Sequence, residues 1–113
     1  MASTDTQAVV EHHLGAVAEG MDALMGDFTD QSVIITPDAT FTGIAEIRGF
    51  FEAFVAGLPE GFMDSFKVTK TVYVGEIGYI LWEAKPWFVM GTDTFTVRDN
   101  KIMVQTFAFA AGG

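Results

Sequence analysis

The segment from Gly91 to Phe107 constrains the fold more than any other part of the chain. Two runs rich in β-branched and aromatic residues flank Asp99-Asn100, a pattern that reads as a β-hairpin closed by a tight turn. Asp93 lies within the first run, on the same alternating face as Phe95 and Val97. If that face is buried, the carboxylate must be neutral, paired or functional, because an ionised acid in an apolar wall is costly.

The remaining elements follow from periodicity. Ser3, Thr4 and Asp5 are N-cap candidates for a helix over Thr6 to Ala18, with Val10, His13, Leu14 and Val17 on its buried face. His12 points about 100° away from His13, so the two histidines do different work. After Gly20 a short helix runs from Met21 to Met25. Val33 to Ile35 and Thr40 to Thr42 form a small hairpin around Thr36-Pro37-Asp38-Ala39. A third helix spans Ile44 to Ala56, with Ile47, Phe50, Phe51, Phe54 and Val55 as its apolar side, and Gly57 and Pro59 end it. Strands follow at Phe66 to Val74, Ile77 to Lys85, Val89 to Arg98 and Lys101 to Phe109. Three helices interleaved with a small hairpin, then a four-stranded antiparallel meander, make an α+β plan in which helices cover one face of a bent sheet.

Composition narrows the function. A chain of 113 residues is one domain, yet it carries eleven Phe and two Trp, more than packing alone requires. Such a surplus points to a lined cavity, an oligomer interface or both. A net charge of −9 excludes nucleic acid and anionic membrane surfaces as partners. No apolar run reaches the ~18 residues that span a bilayer, and no basic, apolar leader is evident, so a cytoplasmic location is expected. The absence of cysteine removes disulfides, thiolate metal sites and Cys nucleophiles. His12 and His13 have no ligand partner at helical spacing, so no metal site is expected. There is no nucleophile elbow, phosphate loop or dinucleotide fingerprint, and no cofactor is expected.

The helix from Ala8 to Val17, the phrase Asp27 to Val33, the phrase Phe41 to Phe51 and the final hairpin together resemble the nuclear transport factor 2-like (NTF2-like) superfamily, in its ketosteroid isomerase-like and SnoaL-like branches. The resemblance covers nearly the whole chain. It implies a cone, with a curved sheet wrapped around three helices and an apolar pocket at one end, in a domain that pairs as a homodimer through the outer face of the sheet. Thr94, Thr96, Ile102, Val104 and Thr106 would form that outer face, and Asp93, Phe95, Val97, Met103, Gln105, Phe107 and Phe109 would line the pocket. In ketosteroid isomerases a tyrosine and a neutral aspartic acid donate to an enolate oxygen while a second aspartate moves the proton. The late-strand acid matches Asp93, the tyrosine position falls on His13, and the base position falls on Thr36. The catalytic aspartate of SnoaL-type cyclases would fall near Phe107. One role is kept, one substituted and one lost, so neither catalytic set is complete.

The residues and the resemblance together lead to a pocket for a small apolar or aromatic molecule, with cofactor-independent proton transfer of the isomerase, cyclase or eliminase type as its chemistry. Asp93 is the candidate acid/base and His13 its candidate partner, while Phe28, Phe54, Trp82, Gln105, Phe107 and Phe109 are the candidate ligand-binding residues. Glu83 replaces Trp82 in the wall if the strand Ile77 to Lys85 shifts by one residue. Trp87, Phe88 and Met90 would overhang the mouth as a lid or serve as dimer contacts. The rival readings are a non-catalytic ligand-binding or adaptor domain, favoured by a pocket below ~300 Å³, and an engineered catalyst on this scaffold. The latter is suggested by a Glu19 to Asp22 turn one residue shorter than the isomerase pattern.

Overall fold

A computed structural model describes residues 2–111, and the side chains of residues 5–111. Helix α1 (Ala2–Glu19) is followed by α2 (Met21–Met25), strands β1 (Val33–Ile35) and β2 (Thr40–Thr42), and helix α3 (Gly43–Ala56). Helix α4 (Phe62–Ser65) then leads into β3 (Phe66–Val74), β4 (Ile77–Ala84), β5 (Phe88–Arg98) and β6 (Lys101–Ala111). The α+β plan and the four long strands are as expected. The capping candidates Ser3, Thr4 and Asp5 lie inside α1, several other ends move by one or two residues, and α4 is an added turn of helix that no periodic pattern could reveal in four residues.

All six strands form one sheet in the order β2-β1-β6-β5-β4-β3. Every pairing is antiparallel except β1 with β6, which run parallel. The small hairpin is thus an extension of the meander rather than a separate unit. Ser32, just before β1, anchors it by donating from its hydroxyl to the Ile102 carbonyl at 2.6 Å.

The β5–β6 turn is tight. Asp99 and Asn100 both take positive φ, 53° and 62°, the combination that matches the twist of two antiparallel strands. Just beyond it the register shifts: Val97 pairs with Ile102, whereas Thr96 pairs with Val104. The extra residue in β6 is Met103. This bulge corrects the simple alternation, because Ile102 turns inward and is fully buried while Met103 is only half-buried. From Val104 onward the alternation resumes, with Gln105 inside and Thr106 exposed.

The core lies between the concave face of the sheet and the helices. Val10 and Ala16 of α1, Leu24 of α2 and Ile47 of α3 meet Ile34, Ile80, Phe95 and Ile102 from four strands. Val55, assigned above to the apolar side of α3, is exposed at the helix end. The convex face of the sheet carries no helix, and Ile35, Val72 and Ile77 remain exposed on it.

In β4 the register places Ile80, Trp82 and Ala84 inside. Glu83 faces outward, with Lys85 at 3.9 Å. The inward Trp82 pairs with Gly91 on β5, and a Cβ at Gly91 would collide with the indole. Glycine is required here for contact with the ring, since the backbone itself must form the surface on which the indole lies. Gly91→Ala should therefore destabilise the protein by about 2–3 kcal/mol through overpacking, read as a lower urea midpoint.

Candidate functional site

A cavity of about 70 Å³ opens between α1, α3 and the sheet. Helix α3 contributes Phe50, Phe51 and Phe54 because their spacing puts them on one side of the helix. Phe62 and Met63 of α4 and Phe66 at the start of β3 close the end nearest the loop. Trp82, Asp93, Gln105 and Phe107 come from adjacent strands and form the floor, and His13 of α1 stands opposite. At ~10–15 Å³ per water, the space accommodates roughly five waters or a molecule of similar heavy-atom count. A second, open groove between β2 and α3 includes Phe41, Glu46 and Phe50 but contains no buried charge.

Asp93 is the focus of the floor. It is 6% exposed, and each carboxylate oxygen accepts one hydrogen bond. The Trp82 indole Nε1 donates to Oδ1 at 2.8 Å, and the Gln105 amide Nε2 donates to Oδ2 at 2.8 Å. Burial pushes the carboxyl up to about 6, against the two hydrogen bonds, which favour the charged form. Near neutral pH it is therefore mostly a carboxylate, and both neighbouring donors are oriented for an anion. The arrangement suits an acceptor or base, not the neutral carboxylic-acid donor of ketosteroid isomerases.

The rings around this group are closely packed. Phe107 stacks on Trp82 at 6.2 Å and 10°, and Phe66 lies on the indole at 5.3 Å. Phe54 meets Phe107 edge-on at 5.2 Å.

His13 is 4% exposed and enclosed by Phe28, Phe51 and Phe95, with ring centroids 5.3 to 5.8 Å away. Burial, with His12 adding to it, lowers its pKa to about 4, so the ring is neutral at pH 7. It forms no hydrogen bond with Asp93, whose two bonds come from Trp82 and Gln105. His13 Nδ1 and Gln105 Oε1 are buried without partners among the described residues.

The other sequence candidates lie elsewhere. Phe28 is in the core behind His13, not in the cavity wall, because α2 turns its ring toward α1 and α3. Phe109 is 45% exposed and packs on Phe88 at 4.5 Å, beyond the end of the cavity. Phe88 packs on Phe62 and Trp82, Trp87 lies near Gly61, and Met90 is exposed, so none of the three lines the cavity. Thr36 is committed to its turn, donating to the Ala39 carbonyl and accepting from two backbone N–H groups. His12 pairs outside the cavity with Asp27, Nδ1 lying 2.9 Å from both carboxylate oxygens, and that partner raises its pKa. Sequence reasoning missed Leu58, Phe62, Met63 and Phe66, which lie around the short helix α4. Their Phe and Leu content was the available signal, but without a periodic frame it pointed nowhere.

No family model and no curated protein sequence matches the chain. Among solved structures it is similar to a de novo designed protein with a curved β-sheet, at 18% identity and a TM-score of 0.78, over 97% of this chain and 88% of that one. A provisionally assigned polyketide cyclase from Sinorhizobium meliloti gives 18% identity and a TM-score of 0.76, over 95% and 99% of the two chains. A provisionally assigned ketosteroid isomerase from Kribbella flavida gives 13% and 0.75, over 96% and 79%. Further matches over nearly the whole chain are described as NTF2-like proteins. The chain has the NTF2-like fold.

The buried carboxylate has a signature in stability. Its folded pKa is about 6, above the ~3.9 of an unfolded chain, so its contribution is fully present below pH ~4 and lost as pH rises through about 6. Asp93→Asn removes this cost. The new amide can accept from Trp82 and, once Gln105 flips, donate to its Oε1. The variant should gain about 2–3 kcal/mol over the parent between pH 4 and pH 7.5, measured as the difference of paired urea titrations at the two pH values.

Proposed function

We propose that the cavity of this NTF2-like fold binds a small, largely apolar molecule and that the Asp93 carboxylate exchanges a proton with it. The observation that carries this reading is an ionisable carboxylate fixed by Trp82 and Gln105 in a wall made mostly of aromatic and aliphatic side chains. A structural acid has little reason to occupy such a wall, because a neutral amide would satisfy the same donors at lower cost. Burial brings its basicity near neutral pH, where a general base is most effective. The base would take a proton from a ligand carbon or heteroatom and return it at another position, with no net oxidation and no cofactor. His13, neutral and facing the same space, would assist by one hydrogen bond.

A second reading has its own support. The cavity of about 70 Å³ is well below the ~300 Å³ at which drug-sized ligand sites begin. That size favours a domain that holds a very small ligand, or none, without turnover. The two readings separate in one experiment. Small ketones and azoles such as cyclopentanone and pyrazole are added in D2O, and exchange of their carbon-bound protons is followed by NMR. Under the catalytic reading exchange accelerates as pH rises through about 6, and Asp93→Asn slows it about 10²–10⁴-fold. An Asp93 carboxyl unmoved by any of these molecules, with no exchange, leaves the non-catalytic reading.

The partner expected at the convex face of the sheet is a second copy of the chain. Ile35, Val72 and Ile77 are exposed there without a covering helix, and the −9 net charge resides elsewhere on the chain's loops and helices for the most part. Sedimentation should give a dimer, and Ile35→Lys combined with Ile77→Lys should give a monomer.

A further inference from the structure

Of the described side chains that line the cavity, only Asp93 carries a charge at pH 7. The walls hold six Phe and Trp82 together with five aliphatic or methionine side chains, and no lysine or arginine among the described residues. Helices α3 and α4 and strands β3, β4 and β6 contribute no titratable group, and α1 contributes only His13.

The hydrogen-bonding inventory leans the same way. Trp82 Nε1 spends its one hydrogen and Gln105 Nε2 one of its two on Asp93. Open acceptors remain, a second lone pair on each carboxylate oxygen and the whole of Gln105 Oε1, buried without a partner; the donors left are neutral, the other Gln105 amide hydrogen and the single N–H of His13. A ligand with an anionic group would meet the carboxylate with no positive charge to offset it. A ligand with N–H groups would satisfy each free acceptor.

Aromatic faces add to the same preference, because their quadrupoles attract a cation and leave a neutral or anionic group unrewarded. The net charge of −9 also draws cations toward the molecule. Building on the cavity as a ligand site, we infer that its occupant is a small organic cation, a primary or secondary ammonium on an apolar body of about four carbons. Its N–H groups donate to Asp93 and Gln105 Oε1, and its charge rests among Trp82 and the surrounding Phe rings.

The discriminating probes are isobutylammonium, isobutanol and isobutyrate, which share one carbon skeleton and differ in charge. Binding is read from the indole N–H resonance of Trp82, with the Trp87 resonance as an internal control. At pH 7.5 isobutylammonium should bind at least tenfold more tightly than isobutanol, and isobutyrate should bind most weakly. The preference should shrink toward parity at pH 5, where Asp93 is largely protonated. In Asp93→Asn the ammonium preference should vanish while isobutanol binding persists. Equal or tighter binding of isobutanol or isobutyrate at pH 7.5 would overturn the cation assignment and leave the cavity as a ligand site. No displacement of the Trp82 resonance by any of the three would overturn both.

Discussion

A carboxylate in an aromatic wall must be met by donors, and the hydrogen bond from the Trp82 indole to Asp93 ties most of this cavity together. For the indole to reach Oδ1 it must lie flat across β5, which is possible only because residue 91 has no side chain. Once placed there, the ring packs against both Phe107 and Phe66. Phe107 in turn meets Phe50 and Phe54 of α3. The position of α3 over the sheet is thus linked, ring by ring, to one polar contact. Gln105 completes the arrangement from the neighbouring strand, occupying the second oxygen and leaving its own carbonyl free.

This organisation separates two roles that a single buried acid could play. A carboxylic acid kept neutral by apolar surroundings donates a hydrogen bond, whereas one held by two N–H groups is prepared to accept. Asp93 belongs to the second kind. Around it the described lining offers aromatic and aliphatic side chains, a neutral histidine and no positive charge. A shared fold therefore does not imply shared chemistry here.

Much of the fold was legible in the sequence because its strands alternate cleanly. The β-branched runs around Asp99-Asn100 fixed the hairpin, and the alternation from Gly91 to Val97 placed Asp93 inside. Apolarity favoured Trp82 over Glu83 in β4 but left both registers open, and the structure places Trp82 inside. The errors arose where the chain breaks its own period. Met103 inserts one residue into β6 and exchanges the sides of Ile102 and its neighbour, and no residue type announces a bulge. Helix α4 is too short to show a period, so four cavity residues from Leu58 to Phe66 were invisible as such. Phe28 and Phe109 share the composition of the true wall but not its position, and that difference lies in tertiary placement. His13 was recognisable as a buried polar residue, but its separation from Asp93 depends on how α1 crosses the sheet.

The parallel seam between β1 and β6 also bears on how the molecule comes into being. Ser32 and Ile102 are joined by a hydrogen bond across 70 positions of sequence, and β1 has its neighbour on that side only in the last strand of the chain. The small hairpin can pack on α3 as soon as both are made, but it joins the sheet only when β6 is available. Loop closure over that span precedes any reward from burial. Completion of the sheet therefore waits on β6, and the rings that pack on Phe107 lack that partner until it is in place.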